Sequence, residues 1–357
     1  MKKLTCFSIL FAILFFSITG FGVDGNGTAG ETSSSVQPVL PEGSESKSES
    51  TNNSSVSSES GLPIEIYWAL YGSLYIIISI AFLYFGKQLF DFVTPFDLDT
   101  QITEKDNRAM GVVLTGYLLA IIVVVCGVMS SGGGESGAGV GADFNFTEFL
   151  IELAPVGLYT LAGIGFLLIS GYINDKAILR EFSCTQEVTE QKNVAVAIII
   201  AAGFLGSALV IAGSIQGSLD WVSAAIGFCV GQLLLVVFAM VYQRATAYDD
   251  QQELHQRKNV AVGLAFGGNL LAYSILIMKG LTMSGGGLET IADRLSHFGY
   301  YAIIGAVVLP LLRIANDRLF LPGVSLDDEI VKDQNVNAGL MEAGLAVSMA
   351  VILIVCL

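Results

Sequence analysis

Hydrophobic positions in this chain gather in long unbroken blocks instead of alternating with polar ones. From residue 64 onward eight blocks stand out, at about 64–86, 109–129, 151–173, 194–215, 221–242, 260–280, 299–315 and 336–357. Most are close to the ~20 residues that an α-helix needs to cross a bilayer core ~30 Å thick. The pattern predicts an all-α fold, a polytopic transmembrane helical bundle of about eight spans.

The polar passages between blocks repeat. Before every even-numbered span stands a related segment: FDLDTQITEKDNRAMG from Phe96, FSCTQEVTEQKNVAVA from Phe182, YDDQQELHQRKNVAVG from Tyr248 and VSLDDEIVKDQNVNAG from Val324. They align without gaps on Asn107, Asn193, Asn259 and Asn335. Such self-similarity marks one supersecondary unit used repeatedly, here two spans used four times. Ten residues before each Asn stand Asp97, Ser183, Asp249 and Ser325, all good helix N-caps. Thr100, Gln186, Gln252 and Asp328 follow three residues later, where a polar side chain can reach back to the first free amides. Next come Gln101, Glu187, Glu253 and Glu329, then an apolar anchor at Ile102, Val188, Leu254 and Ile330. Acids in a first turn suit the positive end of the helix dipole. Each passage is therefore expected to start a helix that runs straight on into the membrane, with its Asn at the point of entry.

Four and eight residues beyond the Asn, on the same helical stripe, lie Gly111 and Thr115, Ala197 and Ala201, Gly263 and Gly267, and Gly339 and Ala343. Small residues let helices approach closely in lipid, and an Asn can hydrogen-bond across the contact. The four Asn with Gly111, Ala197, Gly263 and Gly339 therefore read as packing positions at helix crossings. The sharper alternative is a ring of polar groups around the mouth of a pathway. In the packing version the small-residue stripes of the even spans face a shared centre.

The repeats also pair at a higher level. Asp175 and Asp317 each precede their Asn by 18 residues, while Asp91 and Gln243 precede theirs by 16. Two tandem four-span halves, 64–217 and 218–357, account for this. Because each unit holds two spans, all four enter the membrane in the same sense and are parallel repeats. Twelve bases fall in the motif-bearing loops (Lys87, Lys105, Arg108, Lys176, Arg180, Lys192, Arg244, Arg257, Lys258, Arg313, Arg318 and Lys332), against Lys47, Lys279 and Arg294 opposite. The positive-inside rule puts the motif loops in the cytoplasm and the C-terminus outside.

Composition sharpens the class. The 357 residues are 53% hydrophobic and only 14% charged, where a soluble domain carries roughly 25% charged residues. Mean hydropathy is +0.67 and the pI about 4.4. The net charge of −15 argues against a nucleic-acid partner. Residues 1–23 have the layout of a signal peptide, with Lys2 and Lys3 before a short apolar run and small residues at Gly20 and Gly22. An uncleaved first anchor is the rival reading. Residues 24–62 are rich in Ser, Gly and Glu, and lack the apolar surface to offset ordering entropy; they read as a disordered extracytoplasmic tether. Cysteines are scattered, with no CxxC or Cys/His spacing, so neither a disulfide framework nor a metal site is expected.

The run FDFVTPFDLDTQITEKDNRAMG, with the later QKNVAVA and RKNVAVG, resembles the YjfL-like bacterial inner-membrane family, domain of unknown function 350. The resemblance covers about 64–357 as two tandem copies, with leader and tether as additions. Gln101 in place of an acid, and Asn337 in place of Ala, depart from the pattern. The resemblance implies an integral plasma-membrane protein, points loosely to membrane-stress systems of the phage-shock type, and implies no reaction.

Catalytic constellations are missing. His255 is followed by Gln-Arg-Lys-Asn, so there is no HExxH; GxSxG and a Walker loop are also absent, and the glycines at 132–141 do not meet dinucleotide-binding spacing. His255 and His297 read as solvated loop residues. No enzyme activity and no cofactor are expected. One ionisable residue falls inside a span: Glu342, seven residues after Asn335 and thus roughly 10 Å deep at ~1.5 Å per residue. An intramembrane acid is by default a functional candidate; the bland alternative is a carboxylate paired with Arg313, Arg318 or Lys332. Asn269 and Gln232 are further polar groups in spans, and Pro155 and Pro310 lie inside the third and seventh. Stretches 142–150 and 287–298 look amphipathic and are expected to rest on the outer surface. Two functional classes follow. One is a non-enzymatic membrane module assembling with itself or a partner; the other is an ion channel or proton- or cation-coupled transporter using Glu342.

Overall fold

The computed structural model describes residues 64–132, 146–217, 221–283, 291–320 and 323–357. The expected signal peptide and tether lie outside the described residues. Contacts divide the chain into two units. One comprises 1–68 and 137–144, of which only 64–68 are described; the other, 69–136 and 145–357, holds the helical bundle.

Eight long helices organise that bundle: α1 (Ile64–Val93), α2 (Arg108–Gly132), α3 (Phe146–Ala177), α4 (Val194–Gln216), α5 (Trp221–Ala245), α6 (Val260–Met283), α7 (Ile291–Phe320) and α8 (Val336–Cys356). All eight are long and apolar enough to cross a membrane. No strand occurs among the described residues. The chain is an all-α polytopic helical bundle. Residues 146–150 and 291–298, expected as surface stretches, are instead opening turns of α3 and α7, drawn in by the buried rings of Phe149 and Phe298. Pro155 and Pro310 sit within these two helices.

The polar passages do not run straight into the even helices. Each makes its own short helix, at 98–104 (with a π-helical turn over Thr100–Glu104), Cys184–Thr189, Asp250–His255 and Leu326–Val331. The expected caps do start them. Side chains of Asp97, Ser183, Asp249 and Ser325 accept from the backbone N–H groups of Thr100, Gln186, Gln252 and Asp328. The side chains of Gln186 and Gln252 do not reach back; they run forward to Glu190 and Gln256. The short helices then stop at Asp106, Lys192, Lys258 and Gln334, with φ of 47°, 48°, 50° and 49°. The N–H of each following Asn returns to the carbonyl six residues back, on Gln101, Glu187, Glu253 and Glu329. This closure is one residue wider than the Schellman arrangement and, like it, turns on a left-handed residue, here without the usual glycine. The chain thereby turns through an elbow before each even helix, and the Asn lies at its exit.

The even helices pack in a row. α2 packs on α4, α4 on α6 and α6 on α8, and no comparable contact joins α2 to α6 or α8. The expected shared centre is thus replaced by a line, because each helix uses one face toward the preceding helix and another toward the next. Where α2 meets α4, Gly116 lies against Ala201 and Gly127 against Ala212; where α4 meets α6, Gly263 lies against Ala195 and Gly267 against Ala202; where α6 meets α8, Gly339 lies against Ala261 and Gly268 against Ala343. The odd helices cover one side of the row: α3 bridges α2 and α4, α5 bridges α4 and α6, and α7 bridges α6 and α8. On α4 only Val194, Ile198, Ile200, Leu205, Leu209 and Gln216 escape full burial, most of them a single apolar stripe.

Candidate functional site: an asparagine ladder and the Glu342 cluster

The four asparagines make one construction. The Asn193 side-chain oxygen accepts from the N–H groups of Ala195 and Val196, capping α4. Its Nδ2 donates to Glu187 Oε2 at 2.7 Å within its own elbow, and to the Leu254 carbonyl of the next repeat at 2.8 Å. Asn107 does the same toward Gln101 Oε1 (2.9 Å) and the Val188 carbonyl (2.8 Å). Asn259 reaches Glu253 Oε2 (3.1 Å) and the Ile330 carbonyl (2.9 Å). Asn335 caps α8 through the Asn337 N–H and reaches Glu329 Oε2 at 2.7 Å. Asn107, Asn193 and Asn259 therefore each fill three needs at once: open N–H groups at a helix start, a buried carboxylate or amide, and a carbonyl of the neighbouring repeat; Asn335 fills the first and pairs with a partly buried Glu329. Asn107, Asn193 and Asn259 are all buried, so losing one strands several polar groups that water cannot reach. The ladder places all four elbows at the same end of the bundle.

Charged and polar groups reinforce two junctions. Glu187 Oε1 lies 2.8 Å from His255 Nδ1, and the imidazole stacks on Phe182. His255, expected as a solvated loop residue, is exposed but ends a short helix and also ties one elbow to the next. Lys192 Nζ donates to the Lys105 carbonyl and Lys258 Nζ to Gln191. His297 lies partly buried in α7, beside Tyr301. The candidate small residues differ in surroundings. A Cβ on Gly263 or Gly339 would meet the neighbouring backbone at Ala195 or Ala261, whereas one on Gly111 would meet nothing within 4 Å. Ala197 is fully buried.

Glu342 belongs to a different construction. It is 4% exposed, and its Oε1 receives Arg313 Nε at 2.7 Å, Asn269 Nδ2 at 3.1 Å and the Tyr242 hydroxyl at 3.2 Å. The guanidinium also donates to Asp327 at 2.7 Å and lies over the Tyr242 ring. Four elements, α5 to α8, thus converge on one carboxylate. Of the three bases considered as partners, Arg313 is the one in place; Lys332 pairs with Asp328. Glu342 Oε2 has no partner, and beside it is a void of about 10 Å³ lined by Asn269, Leu309, Arg313 and Met349. Asp250, in the third elbow, is 1% exposed; it accepts from Thr246, while its second oxygen has no partner. Burial pushes its carboxyl up to about 7, with the Thr246 hydrogen bond and Arg313 opposing that shift and Glu342 and Asp249 adding to it. Burial likewise pushes the Cys184 thiol up.

A second polar knot, between α3, α4 and α5, joins Asn174, Ser207 and Gln232 in a closed triangle of hydrogen bonds. Gln232 stands out in its span, but Asn174 at a helix end and a lone Ser carry no warning in sequence. Asp250 was equally hidden, inside a passage that reads as solvated. Among the described residues no group of three or more His, Cys, Asp or Glu is placed to hold a metal ion.

Fold and site together define a class: a multi-pass, all-helical membrane protein built from parallel two-helix repeats. The family model for the Domain of Unknown Function (DUF350) matches residues 65–215 and again 216–357. The chain belongs to that family and carries two copies of its domain in tandem. No curated protein and no solved structure shows a match to the chain.

Proposed function

We propose that the protein is a non-enzymatic assembly module of a bacterial inner membrane, working by self-association or by holding a partner. The observation that carries this is the row of even helices: small residues in contact at every junction, register held by buried amides. Such a surface is built for close helix approach. The intramembrane charge is closed on itself, with Glu342 held by Arg313. The basic elbows favour a cytoplasmic position for that end, with tether and C-terminus outside. A link to membrane stress comes from the family resemblance alone. The test is native mass in lipid nanodiscs: two or more chains, or a co-purified partner, support the reading, and single chains without a partner overturn it. Gly263→Leu should abolish the complex together with the fold of the row.

One observation favours the second class. Glu342 Oε2 has no partner and faces a void about the size of one water, as a proton- or cation-handling group would. Ion flux in liposomes, abolished by Glu342→Gln with native mass unchanged, would make the protein a channel or transporter. No flux under several gradients would leave the cluster a structural pair.

A further inference from the structure

The row has two unfinished ends, and they complement each other. At every internal junction the repeat supplies the same contacts. Positions nine and eight residues past the Asn meet as Gly116 with Ala201, Ala202 with Gly267, and Gly268 with Ala343. Positions two and four residues past it meet as Ala195 with Gly263 and Ala261 with Gly339. Each junction also carries one amide-to-carbonyl bond, onto Val188, Leu254 or Ile330. At the end of the row, α8 presents Gly344, open to space, together with exposed Asn337 and Ser348. At the start, α2 presents Gly111, also open, and exposed Thr115. These are small and polar groups, whereas lipid-facing stripes are built from large apolar ones.

The ladder is unfinished at the same two places. Among the described residues Asn335 Nδ2 reaches Glu329 and no carbonyl of a further repeat, and Asn335 and Glu329 are only partly buried, unlike Asn193 and Glu187. No Asn amide reaches the Ile102 carbonyl among the described residues, and Ile102 is only partly buried where Val188, Leu254 and Ile330 are buried. The odd layer shows the same gap: α3, α5 and α7 each pack along two even helices, while α1 packs extensively on none and meets the bundle through single side chains, Phe90 on Tyr117 and Phe204 and Tyr75 on Phe149. Its Ile76, Ile77 and Ile80 are about 60% exposed. Burial follows this order, at 67% and 83% of the apolar windows of α4 and α6, against 50% for α2 and 28% for α8.

We propose that a second copy of this chain completes the row head to tail: α8 of one copy packs on α2 of the next, and Asn335 donates to the Ile102 carbonyl across the junction. The occupant is a second copy because the missing surface is the one this chain already makes three times, and the two end faces occupy its two halves. The contact is heterologous, using different patches on the two partners. The proposal rests on the self-association reading above and names its interface. At the new junction Gly344 faces Thr115, and Asn337 faces Gly111, whose missing side chain leaves room for the larger residue.

The test uses full-length chains in which the five native cysteines are replaced by Ser. Two differently tagged copies are co-expressed, one with Gly344→Cys and the other with Thr115→Cys, and membranes are treated with diamide. The expected result is a disulfide-linked mixed pair, with no cross-link when either variant is expressed alone. Cross-linking of Gly344→Cys to itself would show a tail-to-tail contact and overturn the proposal. A companion measurement does not depend on the cysteine variants folding: native mass in nanodiscs of the wild type and of Gly111→Leu. The substitution should weaken association at least tenfold while leaving the thermal midpoint of the single chain unchanged. Wild-type complexes without the mixed cross-link, or with Gly111→Leu fully associated, would overturn this interface and leave self-association standing. Single wild-type chains in lipid would overturn both.

Discussion

The asparagine ladder and the Glu342 cluster both bury polar groups among the even helices, by opposite means. The ladder uses uncharged amides as donors and recurs at the same position in every repeat; each Asn replaces bonds that water would otherwise make to a helix start, and the first three also those to a neighbouring carbonyl. The cluster brings a carboxylate and a guanidinium out of water, which costs several kcal/mol per ion before their attraction returns it, and it occurs once. The corresponding residues in the other repeats are Leu114, Ile200 and Phe266. What recurs sets the register of the row. What occurs once carries no structural duty in the repeat, and is where a role particular to the second half belongs.

Four experiments press on that contrast. The largest effect is expected from Arg313→Met, which leaves Glu342 buried without its counter-charge and should cost about 3–5 kcal/mol of unfolding free energy. Adding Glu342→Met should recover most of it. A single-variant loss below about 1 kcal/mol would mean that the pair is solvated and the cluster is no closed unit.

pH should act through Asp250, in the third elbow near the cluster. The Asp250 carboxyl is held near 7 against about 4 in an unfolded chain. Between these values the folded state binds more protons than the unfolded one, so stability falls as pH rises through this window. A shift of that size sets a ceiling of about 4 kcal/mol. The groups acting on Asp250 are Thr246, Arg313, Glu342 and Asp249. Thermal midpoints at pH 4.5 and 7.5 measure the slope, and Asp250→Asn should flatten it; an unchanged slope would assign the pH dependence elsewhere.

The ladder is tested by Asn193→Leu, which removes a cap and strands Glu187 and the Leu254 carbonyl, for an expected loss of about 2–4 kcal/mol. Asn335→Leu, measured on dispersed single chains in detergent, should cost about 1–2 kcal/mol, since its amide serves no further carbonyl among the described residues. Equal losses at the two positions would break the claim that cross-repeat bonds hold the row together.

Much of this was legible along the chain because it is local. Span lengths follow from runs of apolar residues, and the repeat follows from alignment on one Asn. Caps at Asp97, Ser183, Asp249 and Ser325 follow from residue type and position. The elbow was not legible, because its four left-handed residues are Asp, Lys, Lys and Gln, none of which signals a helix stop as glycine would. The cost of a left-handed residue outside glycine is about 1–2 kcal/mol, and the Asn that follows offsets it by satisfying donors and acceptors on its own elbow and helix, and in the first three repeats on the next elbow as well. The His255 contact was not legible because its partner, Glu187, is 68 residues away in sequence.

Sequence alone determined that the chain is all-helical and polytopic, that it repeats one two-span unit four times, and which residues mark each unit; hydrophobic length, helical spacing and capping act over a few residues. Only tertiary structure decided that the small residues form a line and not a ring, because that depends on two faces of one helix each finding a different neighbour. It also decided that Arg313 holds Glu342, since three bases lay within plausible reach and the packing of α7 against α8 brings in just one of them.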